Sequence, residues 1–195
     1  VRETGHPAYR ADDALWLFPT VYKYISETGN LDFMDEEITW SNIEKKATVY
    51  EHLQKAIDFS MNHLGPHGLP AGLHADWNDC LRLGAQGESS FVALQLYYAF
   101  TIMRYFAEKK NDTEYIAYLD KTQKEIGDKI NDLWWEDDRY NRGFKDTGEL
   151  IGSKNDPEAS MWLNPQTWAV ISGHASKEQA EIAMESVERE LNTAY

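Results

Sequence analysis

The strongest structural signal in this chain lies at residues 91–98, which read FVALQLYY. Apolar side chains occupy nearly every side of a helix that is predicted from 91 to about 109. Ser89 or Ser90 can cap the start of this helix. Because a helix that is apolar all round is buried on several sides, the segment predicts the inner layer of an all-α protein.

Further helices are predicted on both sides of this one. Their amphipathic patterns cover residues 11–28, 48–64, 113–134, 165–172 and 177–191. Pro19 should kink the first helix or mark a boundary, and a capping box from Ser176 to Gln179 starts the last one. Glycine and proline break the pattern at residues 138–160, which predicts an irregular excursion or a small hairpin. The sequence therefore predicts roughly six helices in antiparallel pairs, with functional residues in the connections.

The composition excludes several kinds of partner. The 195 residues include 19 basic and 33 acidic side chains, for a net charge of −14, and the acids are scattered along the chain. Such a surface repels nucleic acid and anionic membranes. No apolar run approaches the ~18 residues that span a bilayer. A single cysteine, Cys80, cannot form an internal disulfide, so we expect a reducing, cytoplasmic location.

Residues 75–80, which read ADWNDC, carry the clearest chemical signal. Asp76 and Asp79 flank a tryptophan and an amide in a glycine-rich connection. A sugar-processing site needs this set: a carboxyl for proton transfer, an aromatic face for a pyranose ring and an amide for hydroxyls. A polar loop in which Asp76 or Asn78 caps the next helix is the alternative, and residue types alone leave both open.

The ADWNDC segment resembles the acid-bearing motif of the inverting disaccharide phosphorylases of glycoside hydrolase family 94, of which cellobiose phosphorylase is the best known. Three further stretches resemble motifs of that family in the same order. They read RADDALWL at 10–17 followed by YISETGN at 24–30, GES at 87–89, and LNPQTWAVISG at 163–173. The resemblance covers residues 8–190.

This resemblance implies a fold. Residues 1–195 would form part of an (α/α)₆ barrel, about half of its twelve helices, within a catalytic domain. The N-terminal β-sandwich domain of the family and the C-terminal part of the barrel would then lie outside the chain, which we expect to be a fragment. A half barrel should leave an apolar face exposed around residues 91–106, to be covered by the rest of the parent enzyme or by a second copy in a homodimer.

The resemblance also implies an activity, the inverting phosphorolysis of a β-glucosyl disaccharide of the cellobiose type. The products would be α-glucose 1-phosphate and a free sugar, with inorganic phosphate as co-substrate and no cofactor. Asp79 takes the place of the family's general acid, and Asp76 is the alternative donor. Asp76 is otherwise expected among the substrate-binding residues, where its charge would raise the pKa of Asp79. The family grips phosphate with a segment that follows this region, so the isolated chain is expected to be inactive.

Other residues match the family's sugar-binding positions. Arg10, Asp12 and Asp13 resemble the residues that hold the donor sugar's hydroxyls, although a charge cluster at a helix N-terminus is the alternative. Trp77 would lie against a sugar face, or else belong to the core. Gln166 would contact sugar or brace the acid-bearing loop, and bracing is the preferred interpretation.

Two other functions remain open from the sequence. An inverting hydrolase on the same barrel would need a base ~6.5–9.5 Å from the acid, and Glu88 and Glu158 are candidates only as acids in loops. A non-catalytic, carbohydrate-binding or scaffold fragment is the second. The histidines show no metal-ligand spacing, so no metal site is proposed. The acceptor sugar and its linkage cannot be read from the residues.

Overall fold

A computed structural model describes residues 10–41, 43–78 and 80–192. Within these residues the chain is mostly helical, which confirms the predicted class, a helical part of an α/α barrel. The structure forms six α-helices there: α1 (Leu17–Thr28), α2 (Val49–Met61), α3 (Ser90–Lys110), α4 (Thr113–Trp134), α5 (Leu163–Ile171) and α6 (Lys177–Leu191). No helix among the described residues is both long and apolar enough to cross a bilayer.

Helix α3 is the centre of the core, as its all-round apolar sequence predicts. It packs against α1, α2, α4 and α5. Phe91, Phe100 and Phe106 are completely buried. The expectation of an exposed apolar face around residues 91–106 is therefore wrong, because neighbouring helices already cover these side chains. The more accessible side of α3 instead carries residues such as Thr101 and Arg104.

The first helix starts later than its pattern predicts. Residues 11–16 form bends and turns, and α1 begins at Leu17. Pro19 is therefore the third residue of the helix. The first N–H groups of a helix have no partner within it, so proline neither removes a hydrogen bond nor kinks the helix there. The predicted capping box from Ser176 to Gln179 is present at the start of α6.

Short strands join the helices. A hairpin of β1 (Glu37–Thr39) and β2 (Lys46–Thr48), which the sequence analysis did not predict, precedes α2. The excursion at 138–160 contains the hairpin that was predicted, made of β4 (Gly143–Phe144) and β5 (Leu150–Ile151). Its first strand pairs with β3 (Glu88–Ser89), immediately before α3. The excursion is thereby fixed beside the N-terminus of the central helix.

The connection between α5 and α6 contains a partly buried histidine, His174. The His174 ring lies edge-on to the Tyr97 ring at 5.0 Å and near the Tyr140 ring at 5.9 Å. Its Nε2 is 3.2 Å from Oδ1 of Asn131. Burial lowers the pKa of His174 to about 4, because the packed site disfavours the charged imidazolium.

This burial predicts a loss of stability at acid pH. Because the folded-state pKa is lowered, the unfolded chain binds the proton more readily, and stability falls as pH drops from about 6.5 towards 4. At pH 5 the loss from this group should be about 1–2 kcal/mol. Urea unfolding of the full-length protein at pH 7 and pH 5 measures this loss. The His174→Gln variant, whose side chain cannot titrate, is the control. Equal pH effects on both proteins would contradict the prediction.

Candidate active site

The acid loop, defined here as residues 75–78 and 80–81 around position 79, is attached to residue 11 at its start and carries hydrogen bonds within itself at its end. The Ala75 carbonyl accepts a hydrogen bond from the Ala11 amide at 2.9 Å. The Asn78 carbonyl accepts from the Leu81 amide at 3.1 Å, and its side-chain oxygen accepts from the Cys80 amide at 3.1 Å. Asp79, the predicted general acid, lies outside the described residues.

The side chain of Asp76 anchors the acid loop in the interior. It is 2% exposed, and Arg142 Nη2 donates to its two oxygens at 2.8 and 2.6 Å. The Ser89 hydroxyl also donates to Asp76 and accepts from Arg142 Nη1 at 3.1 Å. Ser89, rather than Asp76, caps α3. With both oxygens engaged, the predicted roles of Asp76 as alternative donor and as sugar ligand find no support in this geometry.

Trp77 points outward from this anchored position. Its side chain is 62% exposed, so it is not a core residue. Its backbone has φ +82°, a left-handed conformation that non-glycine residues seldom adopt. Such strain persists only where the surroundings enforce it, and it is concentrated at functional sites.

A row of tryptophans connects the acid loop to the core. The Trp77 ring lies edge to face with Trp16 at 6.3 Å, and Trp16 lies edge to face with Trp168 at 5.5 Å. Trp168 in turn contacts Phe91 on α3 at 5.5 Å. We call Trp77, Trp16 and Trp168 the tryptophan row; it presents an aromatic surface of the kind that sugar rings pack against.

The segment at residues 10–13 lies against the acid loop, although more than sixty residues separate them in the sequence. Arg10 forms backbone bridges with Leu73 and Ala75. Asp12 is buried and accepts a hydrogen bond from Trp16 Nε1 at 2.8 Å. Asp13 is exposed beside it. The structure therefore brings the predicted donor-sugar residues to the side of the acid loop.

Asp12 has the electrostatics of a functional carboxyl. Burial raises its pKa above the ordinary value, and the negative charges of Asp13 and Asp76 add to the rise. The hydrogen bond from Trp16 opposes this shift. A buried carboxyl with a perturbed pKa, next to an exposed aromatic surface, is typical of an active site.

Gln166 lies deeper than the other predicted site residues. Its side-chain oxygen accepts from the Tyr140 amide at 2.8 Å, and its Nε2 donates to the carbonyls of Tyr140 at 2.7 Å and Trp162 at 3.0 Å. Both N–H groups of the amide are therefore used within the protein. Gln166 braces the segment that carries Arg142, whereas bracing of the acid loop itself was expected.

Arg142 was not predicted from the sequence. No motif marks it, and its partner Asp76 is 66 residues away. The structure shows that the next residue has to be glycine, since a Cβ at Gly143 would lie 2.1 Å from the Glu88 carbonyl oxygen, but the sequence alone does not reveal this contact.

Glu88, a candidate base for a hydrolase, is used structurally. It is completely buried and accepts from the amides of His67 at 2.9 Å and Leu69 at 3.0 Å. The His67 ring nitrogen lies 2.5 Å from its other oxygen. Glu158, the second candidate, is exposed on the excursion. Glu88 therefore has no free position from which to activate a water.

Comparison with known proteins identifies the family. The model described as the catalytic domain of the glycosyl hydrolase 94 superfamily matches residues 2–195. This chain belongs to glycoside hydrolase family 94. The resemblance seen in its motifs is thereby confirmed.

Its relatives in this family include several phosphorylases. The chain is 38% identical to an N,N'-diacetylchitobiose phosphorylase of Vibrio proteolyticus, over 95% of this chain and 23% of the relative. It is 34% identical to a solabiose phosphorylase of Paenibacillus borealis, over 97% of this chain and 25% of the relative. The chain thus spans about a quarter of the length of these curated relatives.

A solved structure shows the same fold. A family 78 rhamnosidase from Bacillus sp. GL1 superposes with a TM-score of 0.71 at 16% identity, covering 94% of this chain and 18% of the other. At this identity the likeness concerns the fold alone.

The strained backbone of Trp77 gives a prediction for stability. Glycine adopts φ +82° without the steric cost that a Cβ brings, about 1–2 kcal/mol. We therefore expect Trp77→Gly to be more stable than Trp77→Ala by about 1 kcal/mol in urea unfolding of the full-length protein.

The exposed helical residue Val170 supplies the control, because glycine destabilises a helix by about 1 kcal/mol relative to alanine. There the order should reverse, with Val170→Ala the more stable variant. If Trp77→Gly were less stable than Trp77→Ala, the left-handed backbone would not be imposed at position 77.

Proposed function

We propose that the protein containing this chain catalyses the inverting phosphorolysis of a β-linked disaccharide, with Asp79 as the general acid. The observation that carries the proposal is the acid loop itself, anchored through buried Asp76 beside Asp12 and the exposed face of Trp77. Relatives named as phosphorylases of diacetylchitobiose and solabiose support the reaction class. We propose a β-glucosyl disaccharide of the cellobiose type as the first substrate to test.

The reaction needs one acid and one nucleophile. A phosphate oxygen attacks the anomeric carbon from the face opposite the glycosidic oxygen, and a new carbon–oxygen bond forms as the glycosidic bond breaks. The bonding electron pair passes to the glycosidic oxygen, which takes the proton of Asp79. The products are an α-sugar 1-phosphate with inverted configuration and a free sugar, and no catalytic base is required, which fits the structural use of Glu88.

The remaining predicted residues would hold the donor sugar. Trp77 offers an exposed aromatic ring against which pyranose C–H groups can pack. Asp12 and Asp13, with Arg10 beside them, would bind sugar hydroxyls at the edge of this ring. Asp12 is held for this task by the Trp16 indole, so the tryptophan row would set both the aromatic surface and the carboxyl next to it.

The proposal predicts that turnover depends on both phosphate and Asp79. In the full-length protein, cellobiose and N,N'-diacetylchitobiose are offered with and without inorganic phosphate, and release of sugar 1-phosphate is measured. We expect release only with phosphate, and a fall in kcat of about 10²–10⁴-fold in Asp79→Asn, the range for loss of a general acid.

Asp32→Asn, at an exposed carboxylate in the 3-10 helix Leu31–Asp35, is the matched control and should keep wild-type kcat. Cleavage without phosphate would identify a hydrolase instead. Near-normal turnover in Asp79→Asn, together with its loss in Asp76→Asn, would reverse the assignment of the acid.

A further inference from the structure

The guanidinium group of Arg142 is completely buried and binds the acid loop, yet it lies behind the loop and not in the exposed aromatic surface. We infer that Arg142 is a positioning residue: through Asp76 it sets the geometry of the acid loop and so places the carboxyl of Asp79 for proton transfer. This inference rests on the proposed function, in which Asp79 is the acid.

Arg142 is itself held from several sides. Its amide donates to the Ile151 carbonyl at 2.8 Å, and its carbonyl accepts from the Ser90 amide at 3.2 Å and the Ser90 hydroxyl at 2.8 Å. Its guanidinium carbon lies 5.6 Å from the centre of the Trp162 ring. The arginine is therefore a fixed support that connects β5 and the start of α3 to Asp76.

The contact with Asp76 fixes orientation as well as position. Arg142 Nη2 reaches both carboxylate oxygens, and Nη1 reaches the Ser89 hydroxyl that also binds Asp76. Two of these hydrogen bonds reach the carboxylate directly and the third reaches it through the Ser89 hydroxyl, so the carboxylate is held in one orientation. A lysine in this place would keep the charge but lose the planar fork.

Position 79 is three residues from this anchor, a chain length of at most about 10 Å. Between them, Trp77 has a left-handed backbone and lies between the Asp76 anchor and the hydrogen-bonded Asn78. Displacing the anchor would shift the acid. A shift of about 1 Å at a reacting group can lower the rate about 100-fold.

Stability alone does not account for this ion pair. A buried salt bridge is often no more stabilising than apolar side chains of the same volume, so its presence is weak evidence for a stabilising role. What apolar side chains could not supply is the fixed, directional hold on the loop that carries the acid.

Arg139 provides a matched control within the same segment. It is also buried, but its guanidinium pairs with Asp138 and with Glu190 on α6. Within the described part of the chain, its hydrogen bonds go to Asp138, Ser160 and Glu190, and none reaches the acid loop. Replacing Arg139 disturbs a buried arginine of the same segment without moving the anchor of Asp76.

The test compares leaving groups in the full-length protein. Arg142→Lys and Arg139→Lys are assayed with phosphate on cellobiose or N,N'-diacetylchitobiose, and on the 2,4-dinitrophenyl β-glycoside of the same donor sugar, whose leaving group needs no proton. We expect Arg142→Lys to lower kcat about 10–100-fold on the disaccharide but less than about threefold on the aryl glycoside. Arg139→Lys should change both rates by the same factor.

An equal loss on both substrates in Arg142→Lys, or no loss on either, would overturn the inference. Should that variant fail to fold, the double substitution Asp76→Leu with Arg142→Met removes both charges together and makes the same comparison possible. The proposed function fails separately, in the wild-type protein, if cleavage does not depend on phosphate. The leaving-group comparison then still tests Arg142 with water as the nucleophile, because a disaccharide needs the acid in either reaction.

Discussion

The candidate site depends on one buried ion pair, between Asp76 and Arg142. It joins the acid loop to the excursion that carries β4 and β5, and Ser89 ties both to the capped start of α3. Removing one partner of such a pair costs about 3–5 kcal/mol, because the other charge is left buried without compensation. The three segments are therefore coupled, and the exposed ring of Trp77 is presented from a rigid base.

Local patterns were enough to predict the helical architecture. The sequence at residues 91–98 predicts a buried inner helix because an all-round apolar surface must be covered, and α3 is covered by four other helices. The Ser176 capping box is equally local and is present. The start of α1 and the β1–β2 hairpin were missed, since turn geometry at residues 11–16 and three-residue strands leave no periodic signal.

Only those site residues that lie within the recognised motifs could be predicted from the sequence. The family resemblance assigned both Asp12 and Trp77 to sugar binding, and the structure shows how they come together. The backbone of residues 10–11 pairs with residues 73 and 75, and Trp16 contacts both side chains. The anchoring role of Asp76 could not be read from its motif, because its partner lies 66 residues away in a segment without one. Gln166 accepts a hydrogen bond from the Tyr140 amide in that same distant segment.

In the proposed reaction, the anchored acid loop delivers a proton to a glycosidic oxygen. A crystal structure of the full-length protein with an uncleaved disaccharide, obtained without phosphate so that no turnover occurs, measures this directly. We expect a carboxyl oxygen of Asp79 at about 2.6–3.2 Å from the glycosidic oxygen, with the Trp77 ring against the sugar. A disaccharide bound with its glycosidic oxygen at another acid, and with the acid loop turned away, would contradict it.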